Sequence, residues 1–493
     1  MPMTANVIAR RICKGLFLAA ALAFCVRGVL EPDQAGGIGK TAAARKPNVV
    51  LIMGDDLGIC DVGLYGCRDI PTPNIDSIAA RGVKFTNGYV SAPVCSPSRA
   101  GLITGRYQHR FGFEFNAGPL QRAVNDKEMG LPTTEITLPQ VLKKAGYATG
   151  MVGKWHLGMQ GKFHPVQRGF DEYYGFLFGA NNYFDPRGAN AVTAEAGGSE
   201  GNQAWPRNPL NPIYRNQSPI EESEYLTEAF AREAVAYIDR HKSEPFFLYA
   251  PFNAPHTPLQ ATRKYVDRFP QIKDKRRQVY AAMVSALDDA VGAILKKLRD
   301  SGLEKDTMVV FLSDNGCATY TQACTNDPLR YGKLTHFEGG FRVPFTLQYP
   351  AWIKGGMTYD KPISSLDLFP TLTALAGGAM PRDRTYDGVD LLPFLTGRNK
   401  RAPHEVLCWR NGENAGVRKG AWKLFKGGDR YMLFDLAKDP GEQRNVADAN
   451  PQVVEDLRKE LQKWEGQMKQ PLWPCRPAAG AWEVDGFKLN ICI

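Results

Sequence analysis

Pro47 to Asp56 reads PNVVLIMGDD: five apolar residues, Val49 to Met53, closed by Gly54 and then by two aspartates. An unbroken apolar run of this length, without alternation, is the pattern of a strand covered on both faces, as in a parallel sheet. Three later stretches end in the same way, on polar residues: YATGMVGKWH (147–156), PFFLYAPFNAPH (245–256) and TMVVFLSDNG (307–316). Amphipathic helical patterns lie between them, over Thr137 to Ala145, Glu224 to Lys242 and Arg277 to Arg299. Strands alternating with helices give the fold class α/β, a mostly parallel sheet flanked by helices. Such sheets hold their ligands beyond the carboxyl ends of the strands, which is where polar side chains collect in this chain.

Away from that core the texture changes. Residues 163–222 are rich in Asn, Pro, Gly and aromatics with no clear period, and read as a long functional loop region. From Arg401 onward short strands and turns, GVRKGAWKLFKG (416–427) and RYMLFDLAKDPGE (430–442), precede a helix from Gln452 to Lys469. That is the pattern of a smaller α+β subdomain. The chain is expected to divide into a leader at 1–24, a linker at 25–45, the main α/β domain at 46–400 and the C-terminal subdomain at 401–493.

The leader has a basic start at Arg10, Arg11 and Lys14, an apolar stretch from Leu16 to Phe24, and small residues at Ala21-Leu22-Ala23. This is a signal peptide pattern, and its apolar run is too short for a stable membrane span. A secreted or periplasmic location follows as the expectation, and with it permission for disulfides. Cys60/Cys67 and Cys317/Cys324 are close enough in sequence to bridge, and Cys475/Cys492 could clip the tail; spacing alone leaves the pairing open. The net charge of +10 favours anionic partners, but the basic clusters, such as Lys275-Arg276-Arg277, are too short for a nucleic-acid surface. Two motifs fail on context. Gly39-Lys40-Thr41 lacks the strand and the earlier glycine of a phosphate loop, and Gly197 to Gly201 lacks the strand and helix of a nucleophile elbow.

SAPVCSPSRAGLITG (91–105) is different. Cys95 stands between two prolines, with Ser96 suited to cap a helix and Pro97 suited to open it, so the helix is expected to start just after the cysteine. The free N–H groups there favour an anion, and Arg99 lies within the first turn. Cys-x-Pro-Ser-Arg followed by Ala-Gly-Leu-Ile-Thr-Gly resembles the signature of the formylglycine-dependent sulfatases, of the alkaline phosphatase superfamily. Other matches follow in that family's order: Asp55-Asp56, Lys154 and His156 in GKWHLG, His256 in PHTP, Asp314-Asn315 in SDNG, and Lys333 in YGKLTHFEGGFRVP (331–344). The resemblance covers about 46–350 and resumes at LFDLAKDPGEQRNVA (433–447). It departs at Ile59 and Cys60, and at Tyr331 and Leu334, which replace glycines common around the family's lysine.

The resemblance implies an alkaline phosphatase-like fold and a sulfuric ester hydrolase. A maturation enzyme, the formylglycine-generating enzyme, would oxidise Cys95 to formylglycine (3-oxoalanine), whose hydrate attacks sulfur. Asp55, Asp56, Asp314 and Asn315 offer hard oxygen ligands suited to Ca²⁺ or Mg²⁺ and not to zinc. The family implies one calcium, completed by an oxygen of modified Cys95. Arg99, Lys154 and Lys333 would stabilise anionic oxygens, His256 would protonate the leaving alcohol, and His156 would accept the proton that releases sulfate. Asn181, Asn182 and His336 are candidate substrate-binding residues. Tyr173, Tyr174, Tyr183, Trp205 and Tyr214 offer faces for sugar rings, and HRFGFEFNAGP (109–119) is read as lining the entrance. Export and these loops favour a sulfated carbohydrate over another sulfate ester. Two rivals remain: a phosphonate or phosphate ester hydrolase of the same superfamily, and a non-catalytic glycan-binding protein in which Cys95 stays a thiol.

Overall fold

A computed structural model describes residues 46–196, 207–478, 482–484 and 486–493. The leader, the linker with Gly39-Lys40-Thr41, the Gly197 to Gly201 stretch and Trp205 lie outside these. In chain order the main sheet uses β1 (Asn48–Gly54), β2 (Val83–Phe85), β3 (Ala148–Lys154), β4 (Glu172–Phe176), β5 (Ile213–Arg215), β6 (Ser218–Ile220), β7 (Phe246–Pro251), β8 (Thr307–Ser313), β9 (Phe345–Gln348) and β10 (Met357–Tyr359). The spatial order of these ten strands is β10-β2-β9-β8-β1-β7-β3-β4-β5-β6. The middle of the sheet, β8-β1-β7-β3-β4, is wholly parallel, and antiparallel pairs such as β8–β9 and β4–β5 flank it.

Every residue of β1 is buried, which accounts for its unbroken apolar sequence. Val49, Leu51 and Met53 enter one core with residues of α2 (Cys95–Thr104) and α3 (Leu138–Lys144). Val50 and Ile52 enter a second core with α1 (Pro73–Ala80), α4 (Leu226–His241) and α5 (Lys275–Asp300). Alternate side chains therefore serve opposite faces, and helices cover both. Thr137 caps α3 through a capping box with Gln140.

Downstream, β11 (Val406–Asn411), β12 (Asn414–Lys419), β13 (Trp422–Gly427) and β14 (Arg430–Asp435) form an antiparallel meander in that order, joined by a helix at Pro451–Glu465. The small sheet and the main sheet lie in one compact unit, Arg45–Ile493. Two corrections to the expected pattern stand out. The 163–222 stretch is not simply loop: it contains β4, β5 and β6, with β4 a full member of the parallel sheet. Gly175 sits in β4 at a φ of 152°, where an added Cβ would meet Gly153 O at 1.9 Å, so the glycine that blurs the strand pattern is what allows the close pairing. Of the local cysteine pairs, Cys317–Cys324 and Cys475–Cys492 are bridged, whereas Cys60 and Cys67 are thiols.

Asp288 on α5 joins that helix to the start of α1. Its Oδ1 accepts Ile75 N–H at 2.8 Å and its Oδ2 accepts Asn74 Nδ2–H at 2.8 Å. Burial pushes its carboxyl up to about 6, against the pull of these donors. A carboxyl raised in the folded state binds its proton more tightly there than in the unfolded chain. Its contribution is therefore complete below the unfolded value of 3.8 and is lost as pH climbs through about 6. Between pH of about 4 and about 7, Asp288→Asn should gain on the parent by about 2 kcal/mol in urea titrations. Parallel curves over that range would show that burial does not govern this group.

Candidate active site

Four adjacent parallel strands, β8-β1-β7-β3, deliver the predicted residues to one end of the sheet. Asp55 and Asp56 follow β1 directly, Asp314 and Asn315 follow β8, Lys154 ends β3 with His156 two residues on, and His256 lies on the turn after β7. Gly153, at a φ of 136°, precedes Lys154, and a Cβ there would meet Pro251 O of β7 at 2.0 Å. Only glycine lets β3 run this close to its neighbour and present the lysine. Asp56 and His156 themselves adopt left-handed backbone, at φ of 61° and 60°. Side-chain-bearing residues are held there only when their surroundings over-determine them, a condition met at functional sites.

Cys95 enters from across the sheet on α2. The helix begins at Cys95 itself, with Val94 as the extended N-cap, two residues earlier than a cap at Ser96 suggested. Ser96 is drawn from the capping role by two other contacts: its N–H donates to Asn116 Oδ1 at 3.1 Å, and its hydroxyl donates to His156 O. Cys95 Sγ lies 3.5 Å from Asp55 Oδ1 and 3.9 Å from Asp56 Oδ1. Ligand atoms of Asp55, Asp56, Cys95 and His256 all fall within 4.8 Å of one another.

Cations interleave these acids. Lys154 Nζ donates to Asp55 Oδ2 at 2.6 Å, and Lys333 Nζ donates to Asp56 Oδ2 at 2.9 Å. Arg99 Nε and Nη2 donate to Asp314 Oδ2 at 3.0 and 2.8 Å, while its Nη1 donates to Lys154 O at 2.9 Å. Arg99 thus reaches Asp314 and, 3.6 Å away, Asp55. None of Cys95, Arg99, Lys154, Asp55, Asp314 and Asn315 is more than 1% exposed.

Burial would raise the Asp56 carboxyl, but the Lys333 ammonium, then His256 and Lys154, hold it below the usual carboxylate range. Asp314 goes the other way: burial raises it, and the charge of Asp55 adds to the rise. Burial also drives the Cys95 thiol well above its ordinary value. His156 is held well below the normal imidazole range by burial, then by Lys154 and Arg99, so the ring is neutral at physiological pH. His256 Nδ1 lies 2.7 Å from Thr257 O, which can only accept, so Nδ1 carries a proton. Its Nε2 faces Lys333 Nζ at 3.1 Å.

Asn315 Nδ2 donates to Asp56 Oδ1 at 2.7 Å, leaving its Oδ1 a buried acceptor without a hydrogen-bond partner. With the carboxylates of Asp55 and Asp56 this is a hard-oxygen donor set, and it fits an alkaline-earth ion. Asp314 stands at the edge of the set, with Oδ2 taken by Arg99 and Oδ1 accepting Asp56 N–H at 3.2 Å.

The remaining candidates divide. Asn181 and Asn182 lie on the loop after β4, which passes over His156: a Cβ on Gly179 would meet that ring at 2.8 Å. Asn181 Nδ2 donates to Asn211 O at 2.9 Å, and its Oδ1 is a buried acceptor without a hydrogen bond. His336 is placed elsewhere. Its ring packs between Phe341 and Phe425 against the small sheet, where burial and then Lys423 lower it to about 3. Tyr173, Tyr174 and Tyr183 are core side chains, 3% exposed or less, because the strand and loop that carry them are covered. They offer no stacking face, and Tyr183 instead donates its hydroxyl to Asn253 O and His256 O at 2.6 and 2.8 Å. Tyr214 is half-buried against His164. Within HRFGFEFNAGP the phenylalanines enter the core, and Asn116 meets α2 at Ser96. Neither the Asn116 nor the Tyr183 contact has a signal in spacing, since both are made across the fold.

The Sulfatase family model matches residues 47–379, and the model for the C-terminal region of N-sulphoglucosamine sulphohydrolase matches 330–467. N-acetylgalactosamine-6-sulfatase of Sus scrofa is 34% identical over 520 residues, covering 93% of this chain and 94% of the relative. Arylsulfatase A of Homo sapiens is 35% identical over 478 residues, covering 87% and 89%. Among solved structures, Ps i-CgsB in complex with k-i-k-neocarrahexaose superimposes with a TM-score of 0.79 at 36% identity, covering 87% of this chain and 95% of the other. A chain whose strand ends, Cys95 helix and whole-length relatives agree in this way belongs to the sulfatase family and is a sulfuric ester hydrolase.

Proposed function

We propose that this protein is an exported sulfatase that removes sulfate from a sulfated carbohydrate, using a formylglycine made from Cys95 by the formylglycine-generating enzyme, beside one calcium ion. The observation that carries the reading is the placement of Cys95 at the first turn of a buried helix, against Asp55 and Asp56, with Lys154, Lys333 and His256 converging on the same point. A bare thiol there is a poor nucleophile, because burial keeps it protonated. Formylglycine would supply, as its hydrate, a hydroxyl nucleophile, and a calcium ion would be held by Asp55, Asp56, Asn315 and the adjoining Asp314 and would supply positive charge to the site.

The chain's own side chains account for the rest. Lys154 and Lys333 are fixed by Asp55 and Asp56 where they can hold sulfate oxygens as negative charge builds. Arg99, locked by Asp314, adds a permanent positive charge behind them: burial alone would lower its pKa, but Asp314 and Asp55 raise it. His256, anchored through Nδ1 to Thr257 O, serves as general acid for the departing alcohol once Nε2, which faces Lys333 Nζ in this arrangement, takes up a second proton. His156 is neutral and accepts the proton whose loss releases sulfate. The near-complete burial of this cluster restricts water around the reacting group.

A sulfated carbohydrate is supported by a relative named N-acetylgalactosamine-6-sulfatase and by the similar structure in complex with k-i-k-neocarrahexaose. Export is supported by the leader from Arg10 to Ala23. N-terminal sequencing of the mature protein should begin after residue 24, and an intact Met1 on active material would remove the export reading.

In matured protein, Cys95→Ala should reduce sulfate release from nitrophenyl sulfate below detection while leaving the thermal melt in place. Mass spectrometry of the parental Cys95 peptide should show the aldehyde, and full turnover with an intact thiol would overturn the scheme. Nitrophenyl phosphonate esters should turn over far more slowly, and the reverse preference would make the protein a phosphonate hydrolase. Dialysis against a chelator should abolish turnover, with recovery on adding Ca²⁺ and none on adding Zn²⁺. Undiminished turnover in protein shown by elemental analysis to be metal-free would exclude the ion.

A further inference from the structure

The loop that carries Lys333 is held from outside. Tyr331 and Leu334, on either side of the lysine, adopt left-handed backbone at φ of 54° and 77°. Residues with side chains disfavour this region, so the loop's own chemistry does not select its shape. Two backbone bonds seat its middle: Lys333 N–H donates to Cys317 O at 2.9 Å, and Leu334 N–H donates to Pro93 O at 2.8 Å. Both ends are held by a single residue of the C-terminal region. Arg330 Nη1 donates to the backbone oxygen of Glu442 at 2.9 Å, and Glu338 N–H donates to Glu442 Oε2 at 2.6 Å.

Glu442 is fully buried and held in turn. Its Oε1 is 2.8 Å from Lys423 Nζ of β13, which also donates to Glu338 Oε1 at 3.0 Å. Glu338 Oε2 accepts the Tyr89 hydroxyl at 2.6 Å. An apolar seam runs alongside: Leu334, Phe337 and Val94, the residue before Cys95, pack with Phe425, Met432 and Phe434 of the small sheet. Charges buried this deeply are a costly way to glue two sheets together, whereas apolar contact already joins them. What the charges add is direction.

We propose that Glu442 is a positioning residue: it grips the Arg330–Glu338 loop at both ends and so fixes Lys333 Nζ beside Asp56 and His256. The inference rests on the role given to Lys333 above. It assigns to the small C-terminal sheet a part in setting the active-site geometry, beyond completing the fold.

The test is steady-state turnover of nitrophenyl sulfate by matured, calcium-loaded protein carrying Glu442→Ala, Glu442→Gln, Arg330→Ala and Lys333→Ala, singly and in pairs. Glu442→Ala should lower kcat by about tenfold or more, since a small misplacement of a transition-state contact is costly. Glu442→Gln should keep most of the activity, because its amide oxygen still accepts Glu338 N–H. Added to Lys333→Ala, Glu442→Ala should slow turnover by no more than about twofold, the signature of two residues acting as a unit. Near-UV circular dichroism reports the folded fraction. If Glu442→Ala does not fold, the same cycle is run with Arg330→Ala, which leaves the buried charge cluster intact and should shift kcat in the same direction. Unchanged kcat in folded Glu442→Ala, or an equal loss with and without Lys333, overturns the proposal while leaving Lys333 its role. Parental turnover by Lys333→Ala would remove that role and the proposal together.

Discussion

Asp55, Asp56 and Asp314 face Arg99, Lys154 and Lys333 in the buried interior, and neither set could be buried without the other. The sheet order makes the meeting possible. β1 and β8 are neighbours, so their aspartates meet at once; β3 lies one strand beyond β7 and brings Lys154 to the same end. Lys333 arrives later in the chain from a loop pinned to Pro93 and Cys317. Removing any one partner leaves an uncompensated charge in the interior, which is far more costly than losing a surface ion pair. Stability and chemistry are therefore bound to the same residues.

Rigidity follows from the same arrangement. His256 is fixed by the Thr257 carbonyl at Nδ1 and by the Tyr183 hydroxyl at its own backbone oxygen, and His156 has its carbonyl tied to Ser96 on α2. The left-handed backbone at His156 is sustained by the Ser96 contact, and that at Asp56 by its N–H bond to Asp314 Oδ1. Such a site is assembled before a substrate arrives, so little binding energy is spent on ordering it.

The strand ends were legible in the sequence because burial on both faces leaves so plain a mark: five apolar residues and two aspartates cannot be read as a surface strand. The residues supplied by family resemblance, from Lys154 to Lys333, converge as their order implies. What sequence did not show depends on contacts between distant segments. Ser96 looks like a cap until His156 O and Asn116 claim it. The tyrosines at 173, 174 and 183 look like sugar platforms until the sheet covers them. β4 is obscured by the glycine that makes its pairing possible, and His336, three residues from Lys333, turns away into an aromatic seam that no local pattern announces. Lys423, Glu338 and Glu442 look like surface charges, and only the packing of the small sheet hides them.

Cys95 is 1% exposed, and every residue of the helix it opens is buried. An enzyme that must bring its own catalytic groups up to this sulfur has no path to it once the sheet and helices have closed. On the proposed function, conversion of the side chain would have to precede folding and would compete with it. Under that proposal, a protein that folded too early would be a well-formed but permanently inactive molecule, and the yield of active enzyme would be set by the relative speed of two processes and by neither alone.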